Sequence, residues 1–164
     1  MRARADVLID TSNMLPRQLR ETILRHFVEG KTHTGLTVNI LSFGFKYGIP
    51  LDADLVFDVR FIPNPYYIEV LKPLTGLDHE VSDYVMAQPE SVTFLDKLRD
   101  MVSFLMPYYV KEGKSQLVIA IGCTGGKHRS VTLAIRLAGL LQSMDATVVL
   151  EHRDIDRDGK AAKA

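Results

Sequence analysis

A continuous apolar run passes directly into a glycine-rich turn and then into an amphipathic segment, and this succession constrains the fold most strongly. Residues 117–121 are Leu, Val, Ile, Ala and Ile, a composition that suits a strand buried on both faces of a parallel sheet. The turn, residues 122–130, contains three glycines and is called the glycine loop below. From Val131 onward, apolar residues recur with the spacing of a helix. A strand, a tight turn and a helix in this order predict an α/β fold.

The glycine loop also predicts a binding site. The first N–H groups of a helix have no partner within the helix, and the helix dipole adds partial positive charge there. The loop places donor-rich or small residues at this point, namely Cys123, Thr124, Gly125, Gly126, Lys127, His128 and Arg129. This combination is typical of a site for phosphate or carboxylate.

A nucleotide-hydrolysing P-loop is excluded by spacing. The Walker A motif requires G-x-x-x-x-G-K-[ST]. The interval from Gly122 to Gly126 is one residue short, and His128 stands where the magnesium-binding hydroxyl belongs. Triphosphate hydrolysis by this loop is therefore not expected.

The loop fits the cysteine-phosphatase motif C-x-x-x-x-x-R-[ST] at Cys123, Arg129 and Ser130. A thiolate beside an arginine at a helix N-terminus would be a nucleophile, although no aspartic general acid is marked in the sequence. Anion recognition by backbone N–H groups and Arg129 requires neither a reactive thiolate nor a general acid, and it is the preferred interpretation. A turn that merely caps the helix, with Cys123 as a small buried side chain, stays open as an alternative.

The rest of the chain completes an α/β pattern. We predict strands at 7–9, 36–42, 55–61, 117–121 and 146–150, and helices at 16–30, 79–87, 94–113 and from 130 onward. Pro107 predicts a kink or an early stop in the third of these helices. The expected architecture is a mixed or parallel sheet flanked by helices, with its loops gathered at the carboxyl ends of the strands.

Composition limits the class of protein. The 164 residues suit a single globular domain with a net charge of +0, so any basic surface must be local. One cysteine excludes an internal disulfide and suits a reducing compartment. No apolar run approaches the ~20 residues of a membrane span. These features predict a cytoplasmic protein without membrane association, and no histidine has metal-ligand spacing.

Several residues outside the loop are candidates to join the site. Lys46, Asp58, Arg60 and Lys72 lie on loops or strand ends that could converge with the glycine loop. Asp58 and Arg60 share a face of the predicted strand, and an ion pair between them is slightly favoured over ligand contacts. Tyr66 and Tyr67 either stack on a sugar or base or pack beneath the proline-rich loop.

Four segments in order carry a resemblance to a known family: Ser42-Phe-Gly-Phe-Lys-Tyr-Gly-Ile-Pro50, Phe57-Asp-Val-Arg-Phe61 with Pro63-Asn-Pro65, Leu74-Thr-Gly-Leu-Asp78, and Ile121-Gly-Cys-Thr-Gly-Gly-Lys-His-Arg-Ser130. Together they resemble the C-terminal domain of the RapZ/YvcJ family over residues 36–153. Residues 5–12 and the helix after them resemble the end of that family's kinase-like N-terminal domain, whose Walker motifs this chain lacks. The expected organisation is the end of that domain and a linker at 1–34, a ligand-binding domain at 35–153, and a charged flexible tail at 154–164.

The resemblance implies a regulatory domain shaped like a subdomain of a sugar-phosphate kinase. Such a domain senses glucosamine-6-phosphate or a similar phosphorylated sugar or nucleotide sugar, forms dimers or tetramers, and binds RNA as an adaptor for a ribonuclease. The family's anion pocket maps onto Thr124, Gly125 and Arg129, with Cys123 and His128 beside it. Candidate ligand contacts also include Gly126, Tyr66 and Arg60, and candidate RNA contacts are Lys46, Lys127 and Arg129. The resemblance implies no cofactor and no catalysis in this fragment, with ATP or GTP confined to the absent N-terminal domain.

Two departures from the family pattern affect these expectations. Tyr66 follows Asn64-Pro65 where the best-studied branch has a histidine. The tail intersperses Asp154, Asp156 and Asp158 among its basic residues. Because carboxylates repel RNA phosphates, this pattern predicts weaker RNA binding than in that branch.

Overall fold

The structure, a computed structural model, describes residues 36–144 and 146–157. These residues form a four-stranded sheet that is flanked by helices. The strands are β1 (Thr37–Gly44), β2 (Leu55–Asp58), β3 (Gln116–Cys123) and β4 (Thr147–His152), and the helices are α1 (His79–Met86), α2 (Pro89–Glu112) and α3 (Arg129–Gln142). Short 3₁₀ turns span Phe45–Tyr47 and Pro65–Tyr67. The strand order is β2-β3-β1-β4 and every pairing is parallel, which confirms the α/β prediction.

The register of the two central strands positions the site. β1 pairs with β3 from Thr37 opposite Gln116 to Gly44 opposite Cys123. The loops that follow these strands therefore start side by side at the carboxyl edge of the sheet. β3 buries side chains on both faces, as at Ile119 and Ala120, whereas β1 alternates buried Val38 and Ile40 with half-buried Thr37 and Asn39.

Two helices flank the central strands with buried apolar stripes. α3 buries Val131, Ala134 and Leu137 against the sheet. α2 begins with a proline in its first turn and ends at Gly113, whose φ of 97° is left-handed and favours glycine. The predicted early stop at Pro107 is wrong, since α2 runs through it to Glu112. Buried apolar side chains before Pro107 and partly buried ones on either side of it hold the helix against the core, which offsets the lost hydrogen bond.

The strand predicted at 55–61 is shorter than expected, because β2 ends at Asp58. The Asp58 carboxylate accepts the backbone N–H of Arg60 at 2.9 Å. This side-chain bond turns the chain out of the sheet, as aspartate two residues ahead of an N–H commonly does. Val59 still donates to the Gly122 carbonyl at 2.9 Å before the turn.

The start of the predicted flexible tail is also corrected. Asp154 is 1% exposed and accepts hydrogen bonds from the folded domain, so the ordered unit continues past residue 153. The predicted elements at 7–9 and 16–30, the boundary near residue 34, and residues 158–164 lie outside the described part of the chain. Among the helices that the structure describes, none is long and apolar enough to cross a membrane.

Candidate functional site

The glycine loop lies at the carboxyl ends of β1 and β3 and leads into α3. Gly126 has a φ of 75°, a conformation that L side chains rarely adopt. A Cβ on Gly44 would lie 2.6 Å from the carbonyl carbon of Gly125, so the two backbones are in direct contact. This close approach explains why glycine stands at both places, and it sets the loop directly beside the end of β1.

A cavity of about 780 Å³ opens above this loop. Its lining contains most of the residues that the sequence predicted for the site, together with several from the loop after β2: Lys46, Asn64, Tyr66, Tyr67, Lys72, Pro73, Cys123, Thr124, Gly125, Lys127, His128 and Arg129. Gly126 and Arg60 do not line the cavity. Lys46 and Lys72 reach the cavity, whereas Asp58 and Arg60 meet the glycine loop outside it, since Asp58 pairs with Gly122 in the sheet and the Arg60 carbonyl accepts from Arg129.

Arg129 is the first residue of α3 and is 4% exposed. Its Nη1 donates to the backbone carbonyls of Arg60 at 3.1 Å and Ile62 at 2.8 Å, and its Nη2 donates to Thr124 Oγ1 at 3.2 Å. Its Nε is buried and has no partner among the described residues. Burial lowers the pKa of the guanidinium, while Cys123 and Asp58 act in the opposite direction. The ordinary pKa of arginine lies far above 7, so the guanidinium keeps its charge and a fixed cation faces the loop.

His128 precedes α3 and is 7% exposed. Its Nε2 is buried and, within the described residues, makes no hydrogen bond. Burial and then the positive charge of Lys127 lower the pKa of His128 below 6.5, although hydrogen bonding to the backbone of Leu74, Lys72 and Leu71 opposes this shift. The ring is therefore neutral at pH 7 and can donate or accept through Nε2.

Lys127 is a structural brace as well as a lining residue. Its Nζ donates to the carbonyls of Lys72 at 3.2 Å and Pro73 at 2.8 Å, and its own carbonyl accepts the Gly76 N–H at 2.8 Å. A Cβ on Gly76 would collide with the backbone at His128. The segment from 72 to 76 is thus held tightly against the start of α3, and the Lys127 ammonium is committed to it.

Cys123 is 3% exposed at the end of β3. Its Sγ accepts the Gly126 N–H at 3.3 Å and lies 3.1 Å from Ser130 Oγ, within hydrogen-bonding distance. These are the contacts that would stabilise a thiolate in a C-x-x-x-x-x-R-[ST] loop. The spacing of the motif therefore corresponds to a real convergence of side chains.

The rim of the cavity carries cations stacked on aromatic rings. Lys46 Nζ lies 4.8 Å from the centre of the Tyr47 ring, and Lys72 Nζ lies 4.7 Å from that of Tyr66. The Lys46 N–H also donates to the Thr124 carbonyl at 3.2 Å, which ties this turn to the glycine loop. Tyr66 is 49% exposed, so its ring can contact a ligand in addition to its contact with Lys72.

Arg60 contributes through its backbone, not its side chain. The guanidinium pairs with Asp58 at 2.6 Å and lies 4.2 Å from the centre of the Phe45 ring. Hydrogen bonding from Arg60 is the largest cause that lowers the pKa of Asp58. The prediction of an ion pair was the better one, and the Arg60 carbonyl that anchors Arg129 could not be inferred from side-chain chemistry.

Sequence reasoning missed Asn64 and Pro73 as lining residues. Asn64 caps the 3₁₀ turn at Pro65–Tyr67 by accepting the Tyr66 N–H, and the Asn-Pro pair is a sequence signal for such a turn. Pro73 joins the site because Lys127 draws its carbonyl inward. No cluster of potential metal ligands occurs within residues 36–144 and 146–157.

Comparison with known proteins places this geometry in a family. Residues 36–156 match the RapZ C-terminal domain. A nucleotide-binding protein of Acetivibrio thermocellus is 58% identical over 161 residues, which cover 98% of this chain and 55% of that protein. A nucleotide-binding protein of Thermoanaerobacter sp. (strain X514) is 59% identical over 158 residues, 96% of this chain and 56% of that protein. The chain spans about half the length of these curated relatives. Because the match covers every described strand and helix, the chain belongs to the RapZ C-terminal domain family.

Proposed function

We propose that this domain is a regulatory binding domain that holds a phosphorylated sugar, of the glucosamine-6-phosphate type, at the glycine loop. The observation that carries this proposal is a pair of buried nitrogens, Arg129 Nε and His128 Nε2, without partners among the described residues. An unpartnered buried donor costs about 1–3 kcal/mol. A bound anion at the start of α3 would remove that cost and would also meet the helix dipole.

The side of the Arg129 guanidinium that carries Nε and Nη2 can take two oxygens of one phosphate. Nη1 is already committed to two carbonyls, so the plane of the guanidinium is fixed before the ligand arrives. Such preorganisation lowers the entropic cost of binding. The sugar would then extend toward the rim, where Asn64 and Tyr66 supply a polar group and a ring face. A nucleotide sugar is the larger variant of the same ligand class, and the names of the relatives are consistent with it.

Calorimetry tests the proposal with three probes, namely glucosamine-6-phosphate, glucosamine and inorganic phosphate. We expect glucosamine-6-phosphate to bind at least tenfold more tightly than glucosamine, because charge-assisted hydrogen bonds contribute about 1.5–3 kcal/mol. Inorganic phosphate should bind competitively. Equal affinity for the sugar with and without its phosphate would overturn the proposal.

Phosphatase activity is a second candidate because of the two contacts at Cys123 Sγ. Two observations oppose it. The thiol is buried, and the lining of the cavity includes no carboxylic acid among the described residues. Outside the cavity, the carboxylates of Asp54, Asp58 and Asp78 are bonded to Lys114, Arg60 and Thr75 respectively. Phosphate release from p-nitrophenyl phosphate that disappears in Cys123→Ser would establish catalysis, whereas no turnover at any pH would exclude it.

An adaptor role in RNA binding is the less supported part of the proposal. The rim cations Lys46 and Lys72 would contact RNA phosphates, whereas Lys127 is already bonded to two carbonyls. Arg129 is buried, so it fits the small ligand better than a polymer. Assembly into dimers or tetramers and recruitment of a ribonuclease are further parts of the proposal.

A further inference from the structure

Asp154 is a buried charge in a segment that composition marks as solvated. Its carboxylate accepts the Gly44 N–H at 2.8 Å and is gripped by Arg153 through Nε and Nη2 at 2.7–3.1 Å. Arg157 Nε lies 3.1 Å from Oδ1, the carboxylate oxygen that does not accept the Gly44 N–H. Burying a carboxylate is costly unless it is paired and hydrogen-bonded, and here both conditions are met. So complete a set of partners indicates a defined structural task.

That task concerns the glycine loop. A Cβ added to Gly126 would lie 2.9 Å from the Cβ of Asp154 and 2.6 Å from the Gly44 nitrogen. Asp154 therefore packs against the loop without lining the cavity, and it bonds Gly44 at the end of the neighbouring strand. Gly126 in turn donates to Cys123 Sγ. A continuous chain of contacts runs from Asp154 through Gly126 to the floor of the cavity.

The two arginines that hold Asp154 fix the neighbouring turn as well. Arg153 Nη2 donates to the Gly48 carbonyl at 2.7 Å, and the Arg157 guanidinium lies 5.0 Å from the centre of the Tyr47 ring. Both contacts are made to the turn at Phe45–Tyr47 and its C-cap residue Gly48, and this turn carries Lys46, which lines the cavity. The segment 153–157 thus braces both the glycine loop and the rim.

We propose that Asp154 is a positioning residue that holds the glycine loop in its anion-binding shape, although it does not touch the ligand. The inference rests on the proposed function of that loop. Its two arginine partners also offset its negative charge, so the carboxylate does not repel the anion it serves. The segment 153–157 is then coupled to the binding site, and occupancy of the site and anchoring of the segment stabilise each other, as thermodynamic linkage requires.

Cys123 provides the reporter, since it is the single cysteine of the chain and its thiol is held by the loop itself. We would measure the rate of its labelling by a thiol reagent in Asp154→Ala and Asp154→Asn, together with the affinity for glucosamine-6-phosphate and inorganic phosphate. Asp54→Ala is a matched control. Asp54 also accepts a backbone N–H, that of Val118 at 2.8 Å, and pairs with a cation, Lys114, but at the opposite end of the sheet.

Asp154→Ala should speed labelling at least tenfold relative to Asp54→Ala and weaken both probes at least tenfold. Asp154→Asn, which can still accept the Gly44 N–H, should show smaller changes of the same sign and keeps the test open if the alanine variant does not fold. Labelling and affinity no different from those of Asp54→Ala would overturn the positioning role. If the unaltered chain binds neither probe, the proposed function fails and the positioning role fails with it.

Discussion

At the scale of single residues, the site depends on which polar groups already have hydrogen-bond partners in the fold and which do not. Arg129 Nη1 donates to two backbone carbonyls, whereas its buried Nε has no hydrogen-bond partner among the described residues. Its neighbour His128 shows the same pattern at Nε2. If the proposed function holds, such a residue both stabilises the fold and binds the ligand, so its substitution should change stability and affinity.

Arg129→Ala should weaken the binding of glucosamine-6-phosphate by about 2 kcal/mol or more, because a charge-assisted hydrogen bond of that size is lost. It should also lower the free energy of unfolding, since the carbonyls of Arg60 and Ile62 lose their donor. Arg129→Lys should restore little, because an ammonium cannot reproduce the planar fork. Calorimetry and denaturant unfolding measure the two effects, and Arg99→Ala, which breaks only ion pairs on the surface of α2, should change neither affinity nor fold.

The stability of the domain should fall as the pH drops below about 6.5, the ordinary pKa of histidine. Burial is the first cause that lowers the pKa of His128, and it also lowers that of His152. Between 6.5 and the lower folded pKa values, the unfolded chain binds more protons, and each proton taken up favours unfolding. The carboxyls with lowered pKa values, Asp54, Asp58 and Asp78, act only at more acidic pH.

Urea unfolding at pH 7.5 and 5.5 checks this dependence. His128→Gln should be less sensitive to pH than the unaltered chain, and adding His152→Gln should flatten the profile further. A free energy of unfolding that stays constant across this range would contradict the lowered pKa values of His128 and His152.

At the scale of elements, the parallel register of β1 and β3 decides where the loops meet. Gly44 lies opposite Cys123, so the glycine loop and the turn that carries Lys46 leave the sheet together. The two backbones approach so closely that neither Gly44 nor Gly126 has room for a Cβ. The role of the crowded Gly126 can therefore be tested against Gly139, a glycine at which a Cβ would have open space.

Gly126→Ala should destabilise the domain by about 1–3 kcal/mol, because φ is positive there and the new methyl would meet the Gly44 nitrogen. Phosphate binding should be lost with it. Gly139→Ala, inside α3, should instead stabilise by about 0.5–1 kcal/mol, since a Cβ there would meet nothing within 4 Å and alanine favours helix. Thermal unfolding separates the two, and equal effects of the same sign would refute the role assigned to Gly126.

At the scale of the whole molecule, the formal net charge of +0 means that no global field attracts nucleic acid. Contacts with RNA must then come from a few local cations at the rim. Arg153 and Arg157 are not wholly available, because both pair with Asp154. This distribution of charge agrees better with the proposed anion in a small cavity than with binding along a polymer.

RNA affinity should therefore be weak and should depend only modestly on salt, with roughly two to three phosphate contacts at about −0.7 per contact in the slope of log affinity against log salt. Lys46→Ala should reduce that slope by about one contact. Gel shifts at several salt concentrations measure it, and Lys97→Ala on the exposed surface of α2 is the control. Affinity that does not change with salt would contradict a phosphate contact.

The sequence by itself determined the strand, the glycine loop and the helix of the proposed anion site, because hydrophobic periodicity, glycines and helix-start signals act between near neighbours. It likewise indicated the α/β class, with a mixed or parallel sheet, and it named Lys46 and Lys72 among four residues that could converge on the loop. Only the tertiary structure decided which groups of Arg129 stay unbonded, that Arg60 serves through its carbonyl, and that Asp154 is buried beneath the loop. Those contacts join residues that are 69 to 110 positions apart, and they depend on strand register and three-dimensional packing, which local spacing does not encode.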